Sequence, residues 1–549
     1  MAGTPLQQFL KWEKEMASRV FLRQPVNGQW REWTFGQAGE EIRKIANGLL
    51  SLNMPAHSNV AILSKNCAHW IMADLAIMMA GYVSVPLYAN ISAASIKQIL
   101  EHSESKAVFI GKLDDYPSQQ NGIPSFTKKI SLDFYGIREG ILVSDWLSNQ
   151  QPLEKTYEWA DKELFTIMYT SGTTGTPKGV MFHPSAFSHV TDIMIDYISR
   201  VSPLPAHPRL FSYLPLCHIA ERNLTEVLGC QTGASISFVE SLETFAHDLH
   251  SVQPHLFFGV PRIWSRFQEK ILEKLPQKKL SRLLRIPVVN FILKRILQKK
   301  LGLAHTLLKV SGAAPMPLAL LHWFHHLGID VREIYGMTEN CAISHGIQEE
   351  ISFGTVGKAM PGVEIKFSES GEIMTRHPAL MMGYYKEPQL TSEVFSEDGF
   401  LTTGDLGVMD EQGFVKITGR VKDIFKTDKG KYVSPTPIEI KMSKNPDISQ
   451  VCVVGAGIPQ PIALMVLSDQ ARQKNKSEVS TSLMVLLNEV NDTVEDYERV
   501  KKIIILRDEW TIENGLMTPT LKVKRNEVEK IYLSNYMAWY AHKESIVWL

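Results

Sequence analysis

The sequence predicts an α/β protein: a large N-terminal domain of parallel-rich sheets covered by helices, with a smaller β-rich subdomain, and a small α+β domain at the C-terminus. Three observations predict this. The chain has 549 residues, too many for one hydrophobic core. Apolar runs of strand length alternate with helical patterns through its first half. Beyond about Gly354 short segments are separated by Gly, Asp and Pro, which is typical of antiparallel strands and turns.

The first half repeats a helix–strand unit between residues 40 and 111, and similar units return after Pro208. This alternation is the pattern of a parallel sheet covered by helices. The predicted strands are 60–63, 82–87, 107–110, 210–214, 234–238 and 256–258. We place the domain boundary after Arg420, which gives an N-terminal domain of residues 1–420 and a C-terminal domain of residues 421–549.

The charge balance excludes a general attraction to nucleic acid. Lys plus Arg equals Asp plus Glu at 58 each, so the formal net charge is zero. Five cysteines are scattered without a CxxC pair, which argues against a disulfide framework and a structural zinc. No uncharged apolar run is long enough to span a bilayer. We therefore expect a cytoplasmic protein.

The stretch YTSGTTGTPKGV, residues 169–180, follows an apolar run, 164–168, that predicts a short buried strand ending in a loop. Its glycines, including Gly179, can reach positive φ and let backbone N–H groups approach an anion. Hydroxyls add donors and a lysine adds charge, whereas the spacing differs from that of a Walker loop. The alternative is a flexible turn. The candidate residues are Thr170, Ser171, Gly172, Thr173, Thr174, Gly175 and Lys178.

Further motifs lie downstream. In IYGMTEN, residues 334–340, Glu339 is a candidate Mg²⁺ ligand, although a Thr-Glu pair also starts helices. In TTGDLG, residues 402–407, Asp405 can accept both hydroxyls of a ribose, and Arg420 in GRVKD can pair with the sugar or a phosphate. A turn cap and a surface salt bridge are the alternatives.

The last motif is TPTLKVKR, residues 518–525. By themselves its basic residues indicate only a solvated face. Taken in order, however, all these motifs resemble the adenylate-forming (AMP-binding) superfamily, which includes acyl-CoA synthetases, peptide-synthetase adenylation domains and firefly-type luciferases. LPLCHIAER, residues 214–222, GVPRIW, residues 259–264, and the TPTLK form of the last motif resemble its long-chain fatty acyl-CoA synthetase branch.

This resemblance implies a long-chain fatty acid–CoA ligase. In the family the carboxylate first joins the α-phosphate of ATP with release of pyrophosphate, and the thiol of coenzyme A then displaces AMP. ATP, Mg²⁺, coenzyme A and a fatty acid are thus the expected cofactor and partners. The resemblance also implies that the C-terminal domain is mobile and swings between two poses, with Lys422 at the hinge position.

The family roles carry over residue by residue as expectations. Lys522 would bridge the attacking carboxylate and the α-phosphate, with Lys524 as the rival lysine. His218 would lie where the acyl pocket meets the thiol tunnel, or else be a satisfied core histidine near a helix start. Loop 170–178 would grip the β- and γ-phosphates, and Thr170 with Glu339 would place Mg²⁺.

The resemblance also implies which residues would contact the nucleoside. Tyr335 would stack on adenine, Asp405 and Arg420 would hold the ribose, and Lys426 would contact phosphate. The remaining residues expected around the nucleotide are Gly312, Glu333, Ile334, Gly336 and Thr338. The chain departs from a common family pattern at Ser311, where a second glycine is frequent.

Residues 270–300 carry ten basic side chains against the single acid Glu273. The pattern favours a solvated helical hairpin broken at Pro287. Peripheral contact with an anionic membrane is the alternative.

Other functions stay open on the sequence alone. The acyl group could pass to a carrier-protein thiol, or the acid could be shorter or aromatic. A non-catalytic protein that binds nucleotide and fatty acid is a hypothesis of another class. The sequence does not fix chain-length preference or oligomeric state, for which a homodimer is one option.

Overall fold

The computed structural model describes residues 3–171, 177–346, 349–512, 514–518 and 522–549. Its helices are α1 (Pro5–Glu15), α2 (Phe35–Ser51), α3 (Ala68–Met79), α4 (Ala93–His102), α5 (Tyr116–Gln119), α6 (Val143–Asn149), α7 (Pro184–Val201), α8 (Ile219–Glu221), α9 (Leu228–Thr232), α10 (Phe245–Val252), α11 (Pro261–Lys274), α12 (Gln277–Leu284), α13 (Pro287–Lys300), α14 (Leu318–His326), α15 (Pro388–Val394), α16 (Pro435–Met442), α17 (Asp469–Arg472), α18 (Lys476–Asn491), α19 (Arg525–Tyr532) and α20 (Tyr536–Tyr540).

Its strands are β1 (Val20–Val26), β2 (Gln29–Thr34), β3 (Asn59–Leu63), β4 (Val83–Leu87), β5 (Ala107–Ile110), β6 (Lys128–Ser131), β7 (Ile141–Leu142), β8 (Thr166–Ser171), β9 (Pro177–Phe182), β10 (Arg209–Ser212), β11 (Ser235–Phe238), β12 (Leu256–Phe258), β13 (Leu308–Ser311), β14 (Val331–Glu333), β15 (Glu364–Phe367), β16 (Glu372–Arg376), β17 (Gly383–Tyr384), β18 (Leu401–Met409), β19 (Val415–Arg420), β20 (Phe425–Lys426), β21 (Tyr432–Val433), β22 (Ile448–Val454), β23 (Ile462–Leu467), β24 (Lys502–Leu506) and β25 (Ile546–Trp548).

The predicted α/β fold class is confirmed. The largest sheet has the order β17-β9-β8-β4-β3-β5-β6-β7, and its strands from β8 to β7 in that order run parallel. Helix α3 is buried along its whole length, because it lies between this sheet and α2. Buried on all sides, it is apolar around most of its circumference rather than amphipathic, with His69 and Asp74 as buried polar exceptions.

Two smaller sheets hold the strands predicted after Pro208. Their orders are β10-β11-β1-β2 and β12-β13-β14, and β12 to β14 are parallel. Strands β15, β16, β18 and β19 form the antiparallel sheet that the change of pattern after Gly354 indicated.

The C-terminal part is built on the sheet β22-β23-β24-β25, with apolar clusters on both of its faces. Among the described residues, the clusters of the N-terminal part end at Leu401, and those of the C-terminal part begin at Phe425. The boundary at residues 420 and 421 stays a prediction.

Two local expectations differ from the structure. The strand expected at 164–168 lies at Thr166–Ser171, because Thr170 pairs with Lys178 across a hairpin and carries the strand into the motif. The expected basic hairpin is three helices, because Pro276 as well as Pro287 interrupts the chain. In the part of the chain that the structure describes, no helix is both long and apolar enough to cross a bilayer.

Candidate active site

The arms of the predicted phosphate loop are β8 and β9. Their antiparallel register places Thr170 opposite Lys178, and both are half-buried. Burial lowers the pKa of Lys178, and the nearby charge of Lys422 lowers it further. The predicted loop residues Gly172, Thr173, Thr174 and Gly175, and the side chain of Ser171, lie outside the described residues.

Gly179 serves packing rather than positive φ, contrary to expectation. It pairs with Tyr169 inside β9, and its φ is not positive. A Cβ added there would lie 2.8 Å from Cγ2 of Ile167, closer than side chains tolerate. The glycine therefore allows the hairpin arms to approach.

Glu339 lies beside the same hairpin, in a 3-10 turn, Thr338–Asn340, that also holds the expected Thr338. The hydroxyl of Tyr384 donates a hydrogen bond to its Oε1 at 2.9 Å, and the Lys178 Nζ lies 5.3 Å from the Tyr384 ring centroid. Burial raises the pKa of Glu339, whereas Tyr384, Lys178 and Arg420 oppose that rise. Tyr384 was missed by sequence reasoning.

The donor set near the hairpin fits a magnesium ion. Mg²⁺ prefers oxygen ligands and usually takes one or two carboxylates together with phosphates and water. Glu339 and Thr170 offer one carboxylate and one hydroxyl, and a cation would offset the cost of ionising the buried carboxyl.

Gly312, Glu333 and Ile334 meet where the parallel strands β13 and β14 end. The Ile334 N–H donates to the Ser311 carbonyl at 2.8 Å, and a Cβ on Gly312 would lie 2.9 Å from Ile334. Ligands commonly bind at the carboxyl ends of parallel strands. The location therefore suits the expected adenine site.

Glu333 carries a strongly perturbed carboxyl group at this strand end. Its Oε1 accepts the Met316 N–H at 3.0 Å. Burial raises the pKa of Glu333 to about 7, with the backbone hydrogen bonds from Met316 and Gly354 opposing it. Burial thus favours the protonated carboxyl, which can donate a hydrogen bond as well as accept one.

Asp405 of TTGDLG joins Tyr335 of IYGMTEN to Arg420 of GRVKD. The Tyr335 hydroxyl donates to its Oδ2 at 2.8 Å, and the Arg420 Nε donates to its Oδ1 at 2.7 Å. Gly336 follows Tyr335 and packs against the backbone of Ala342. Each carboxylate oxygen keeps a second lone pair, so Asp405 can still accept two ribose hydroxyls.

Lys522 of the C-terminal part lies near Asp405 and Arg420. Desolvation in the crowded cleft lowers its pKa to about 8, and the charge of Arg420 lowers it further while Asp405 opposes. Solvent reaches the side chain, so the cleft is crowded rather than sealed. Burial, together with the charge of Lys522, lowers the pKa of His218 to about 4. Lys522 therefore shares one cleft with Asp405, Arg420 and His218.

His218 is also the N-cap of α8, in agreement with the alternative expectation of a histidine near a helix start. Its Nδ1 accepts the Ala220 N–H at 3.3 Å. In the neutral ring Nε2 then carries the proton and is a donor.

The Lys522 segment is held by its own backbone and by Arg525. The Thr518 N–H donates to the Lys522 carbonyl at 2.8 Å, and Lys522 N–H donates to Thr518 Oγ1 at 3.0 Å. Arg525 donates to Glu439 Oε1 at 2.6 Å and to the Val453 carbonyl. The arginine that ends this motif is therefore an anchor, a role that sequence reasoning did not assign.

The other lysines differ in placement. Lys422 lies in the 3-10 turn after β19 and affects Lys178 electrostatically. Lys426 contacts the Tyr432 ring, with Nζ 5.4 Å from its centroid, and its expected contact with phosphate stays a prediction. Lys524 is the N-cap of α19, and its N–H donates to the Leu516 carbonyl.

A buried ionic network fixes His218 relative to the hairpin. Arg222 begins a π-helical turn, Arg222–Val227, directly after α8, and its Nη1 donates to Thr166 of β8 at 2.9 Å. The same guanidinium contacts Asp74 at 2.5 Å and Glu226 at 3.2 Å. Because Thr166 starts the first hairpin arm, this network connects the LPLCHIAER segment to the strand that leads into the phosphate loop.

Lys178, Glu339, Asp405, Arg420 and Lys522 thus meet in a single cleft. Cations, a carboxylate able to accept sugar hydroxyls and a carboxylate able to hold a metal together suit the binding of a nucleoside phosphate. The family is then given by comparison. Residues 9–385 match the AMP-binding enzyme model, and residues 422–544 match the C-terminal domain model of the same enzymes. The chain belongs to the AMP-binding enzyme family.

Relatives match along nearly the whole chain. A long-chain-fatty-acid–CoA ligase, FadD15, of Mycobacterium bovis is 27% identical over 96% of this chain and 95% of its own. A peroxisomal long chain acyl-CoA synthetase 6 of Arabidopsis thaliana is 27% identical over 94% and 83%. These matches confirm the resemblance to the superfamily and its long-chain acyl-CoA synthetase branch.

Solved structures agree on the fold. The adenylation domain of a carboxylate reductase from Mycobacterium chelonae has a TM-score of 0.82 at 21% identity, covering 98% of this chain and 91% of that one. An anthranilate CoA ligase, AuaEII, in complex with anthranoyl-AMP has a TM-score of 0.78 at 20% identity, covering 97% of both chains.

Proposed function

We propose that this protein is an AMP-forming acid–thiol ligase that converts a long-chain fatty acid to its coenzyme A thioester. The observation that carries the proposal is that Lys522, from the C-terminal part, shares a cleft with Asp405, Arg420 and His218 of the N-terminal part. A lysine placed beside a ribose-type carboxylate can reach the α-phosphate to which an acid would be joined.

Both half-reactions pass through states with extra negative charge on oxygen, so placed cations are the main catalytic groups. Lys178 and Lys422 lie near the phosphate hairpin, and Lys522 in its ammonium form would bridge the carboxylate and the α-phosphate. Glu339 and Thr170 would hold Mg²⁺, which would neutralise charge on the phosphates.

His218 acts as a neutral donor in this proposal. A pKa of about 4 leaves the ring uncharged near pH 7. Its Nδ1 is occupied by Ala220, so Nε2–H is available to hold the acyl oxygen while the thiol attacks. Arg222 is a positioning residue, since its backbone N–H donates to the His218 carbonyl at 3.0 Å while its guanidinium is held by Thr166.

The acyl site is the apolar cavity beside the nucleotide strands, lined by Met194, Ile198, Leu224, Ile334 and Met360. Its volume is about 30 Å³, which is room for roughly two water molecules. A long chain therefore requires the lining to open, and the flexible methionines allow such repacking. The small volume makes a shorter or aromatic acid the second candidate substrate.

The test is a panel of long-chain, short-chain and aromatic acids, assayed for AMP release with and without coenzyme A. We expect release to depend on coenzyme A and to be fastest with a long-chain acid. Highest activity on a short or aromatic acid would select the second candidate. If AMP release requires an added carrier protein, the acceptor is that protein's thiol and not coenzyme A. If no acid supports pyrophosphate exchange, only a binding function is left.

We place the reaction in the cytoplasm. The five cysteines are buried and free, which suits a reducing compartment. Peripheral contact with a membrane through residues 270–300 would bring the enzyme to its substrate. The two domains meet, in this proposal, at residues 420 and 421.

A further inference from the structure

Helix α13 presents apolar side chains on two opposite sides. On the inner side Leu297 is buried and Leu293 packs against the cluster that contains Trp264 and Phe324. A surface helix of a soluble protein normally has one apolar stripe, and a helix that is apolar around its circumference is usually buried in protein or in lipid.

The outer side of α13 is exposed. Val288 is 70% exposed and Phe291 is 58% exposed. At 3.6 residues per turn, Val288, Phe291, Ile292 and Ile296 project from one side of the helix. Ile286, directly before the helix, is exposed as well. We name the five residues Ile286, Val288, Phe291, Ile292 and Ile296 the outer face.

Cations frame the outer face. The Arg295 guanidinium lies 4.2 Å from the ring centroid of Phe291, and Lys299 follows one turn later. Arg285 precedes Ile286 and is exposed. From Lys274 to Lys300 the sequence contains neither Asp nor Glu. The outer face therefore has an apolar centre and a positive rim.

We propose that the outer face docks on an anionic lipid membrane. Insertion of the apolar side chains and attraction of the cations to acidic headgroups act together there. A second copy of the chain fits poorly, because a two-fold contact would oppose like charges. Nucleic acid would satisfy the cations but leave the apolar centre in water.

Docking would bring the proposed nucleotide site close to the membrane surface. The inner side of α13 shares its cluster with Phe257 of β12 and Val331 of β14. The sheet that ends at Gly312 and Glu333 therefore rests on the helices that would lie on the membrane. This consequence rests on the proposed function, because long-chain acids partition into bilayers, whereas docking itself does not depend on which acid is activated.

The test is flotation of the full chain with two kinds of vesicles: phosphatidylcholine alone, and phosphatidylcholine with about one third phosphatidylserine. We expect flotation only with the anionic vesicles, and weaker flotation as salt rises from about 50 to about 500 mM. Phe291→Ser/Ile292→Ser should weaken binding roughly tenfold or more. Arg285→Gln/Arg295→Gln/Lys299→Gln should weaken it by roughly fivefold for each cation removed.

Matched control variants show whether binding depends on the outer face or on any exposed apolar or basic side chain. Phe126 is 52% exposed elsewhere, so Phe126→Ser should bind as the wild type does. Lys128→Gln/Lys543→Gln removes exposed cations from other surfaces and should also leave binding unchanged. Pyrophosphate exchange in solution should be equal in all variants, which shows that they fold.

Three results would overturn the proposal. The first is wild-type protein that stays unbound with anionic vesicles at low salt. The second is equal loss of flotation in the outer-face variants and their controls. The third is a solution dimer that dissociates on Phe291→Ser/Ile292→Ser, because the face would then be a contact between copies of the chain.

Discussion

Lys522 is an ammonium group held in a crowded cleft beside another cation, and this sets its pH dependence. Its pKa is lowered to about 8, first by desolvation and then by Arg420. Only the charged form can bridge two anionic oxygens. We therefore predict that kcat/KM for adenylation, measured by pyrophosphate exchange, falls about tenfold per pH unit above that value. Bound ATP phosphates stabilise the ammonium, so the decline in kcat should begin at higher pH.

Substitutions at the same position separate charge from position. Lys522→Arg keeps a charge at every accessible pH, so the alkaline decline should disappear even where the rate is reduced. Lys522→Ala should slow adenylation by roughly 10²- to 10³-fold and spare thioester formation from supplied acyl-AMP. An unchanged alkaline decline in Lys522→Arg, or equal loss of both steps in Lys522→Ala, would contradict the assigned role.

Ala313, which follows Gly312 of the proposed nucleotide site, has a strained backbone. Its φ is +65°, a left-handed conformation that costs a side chain with Cβ about 1 kcal/mol. Ala313→Gly should therefore raise the free energy of unfolding of the N-terminal part by about 1 kcal/mol, measured by urea unfolding. Ala314 has no positive φ, so Ala314→Gly is the matched control and should destabilise. If both substitutions shift the midpoint alike, backbone strain at Ala313 is not the cause.

At the scale of elements, the segment 522–525 is positioned by its last residue. Arg525 pairs with Glu439 at 2.6 Å, and its side chain is mostly buried. Arg525→Met leaves the Glu439 carboxylate without this partner, so we predict a loss of about 3 kcal/mol in the C-terminal part. Because Lys522 depends on this anchor, pyrophosphate exchange should fall by roughly 100-fold while ATP binding is kept.

The neighbouring lysine supplies the comparison. Lys524 contributes its backbone N–H to the Leu516 carbonyl. Lys524→Met keeps that hydrogen bond, so both exchange and stability should change little. Loss of exchange in Lys524→Met with retention in Arg525→Met would make Lys524 the acting lysine.

The elements show which features a sequence can predict. The parallel strands between residues 40 and 111 were predicted because a strand's apolar pattern is local. The extension of β8 to Ser171 was not, because it depends on pairing with β9. Tyr384 contacts Glu339 from 45 residues away, and only the fold brings them together. The motifs predicted most of the cleft, whereas the residues that hold the motifs in place became visible only in three dimensions.

Asn66 illustrates the same limit within the His218 segment. Its Oδ1 accepts the Leu216 N–H, and its amide donates to Ser212 at 2.7 Å. The contact with Leu216 spans 150 residues of sequence. A buried asparagine carries no sequence signal for that role, because its partners, the Leu216 N–H and the Ser212 hydroxyl, lie in a distant segment.

At the scale of the whole molecule, the proposed mechanism depends on how the C-terminal part approaches the N-terminal part. In this structure Lys522 lies near Arg420 and Asp405, as the adenylation role proposed for it requires. The 3-10 turn Val421–Asp423, which contains the hinge candidate Lys422, lies between β19 and β20, at the predicted domain boundary. If the family's second pose applies, thioester formation requires backbone rotation at this turn.

Lys422→Pro tests that requirement, because proline fixes φ near −65°, a value compatible with a 3-10 turn, and so holds the observed pose. We predict that acid-dependent pyrophosphate exchange stays within roughly threefold of wild type, whereas coenzyme A-dependent product formation falls by roughly 100-fold or more. Lys422→Ala is the control for loss of the charge near Lys178, and it should affect adenylation more than thioester formation. Equal loss of both steps in Lys422→Pro would mean that the chemistry does not depend on rotation here, because a hinge block must spare the pose that it preserves.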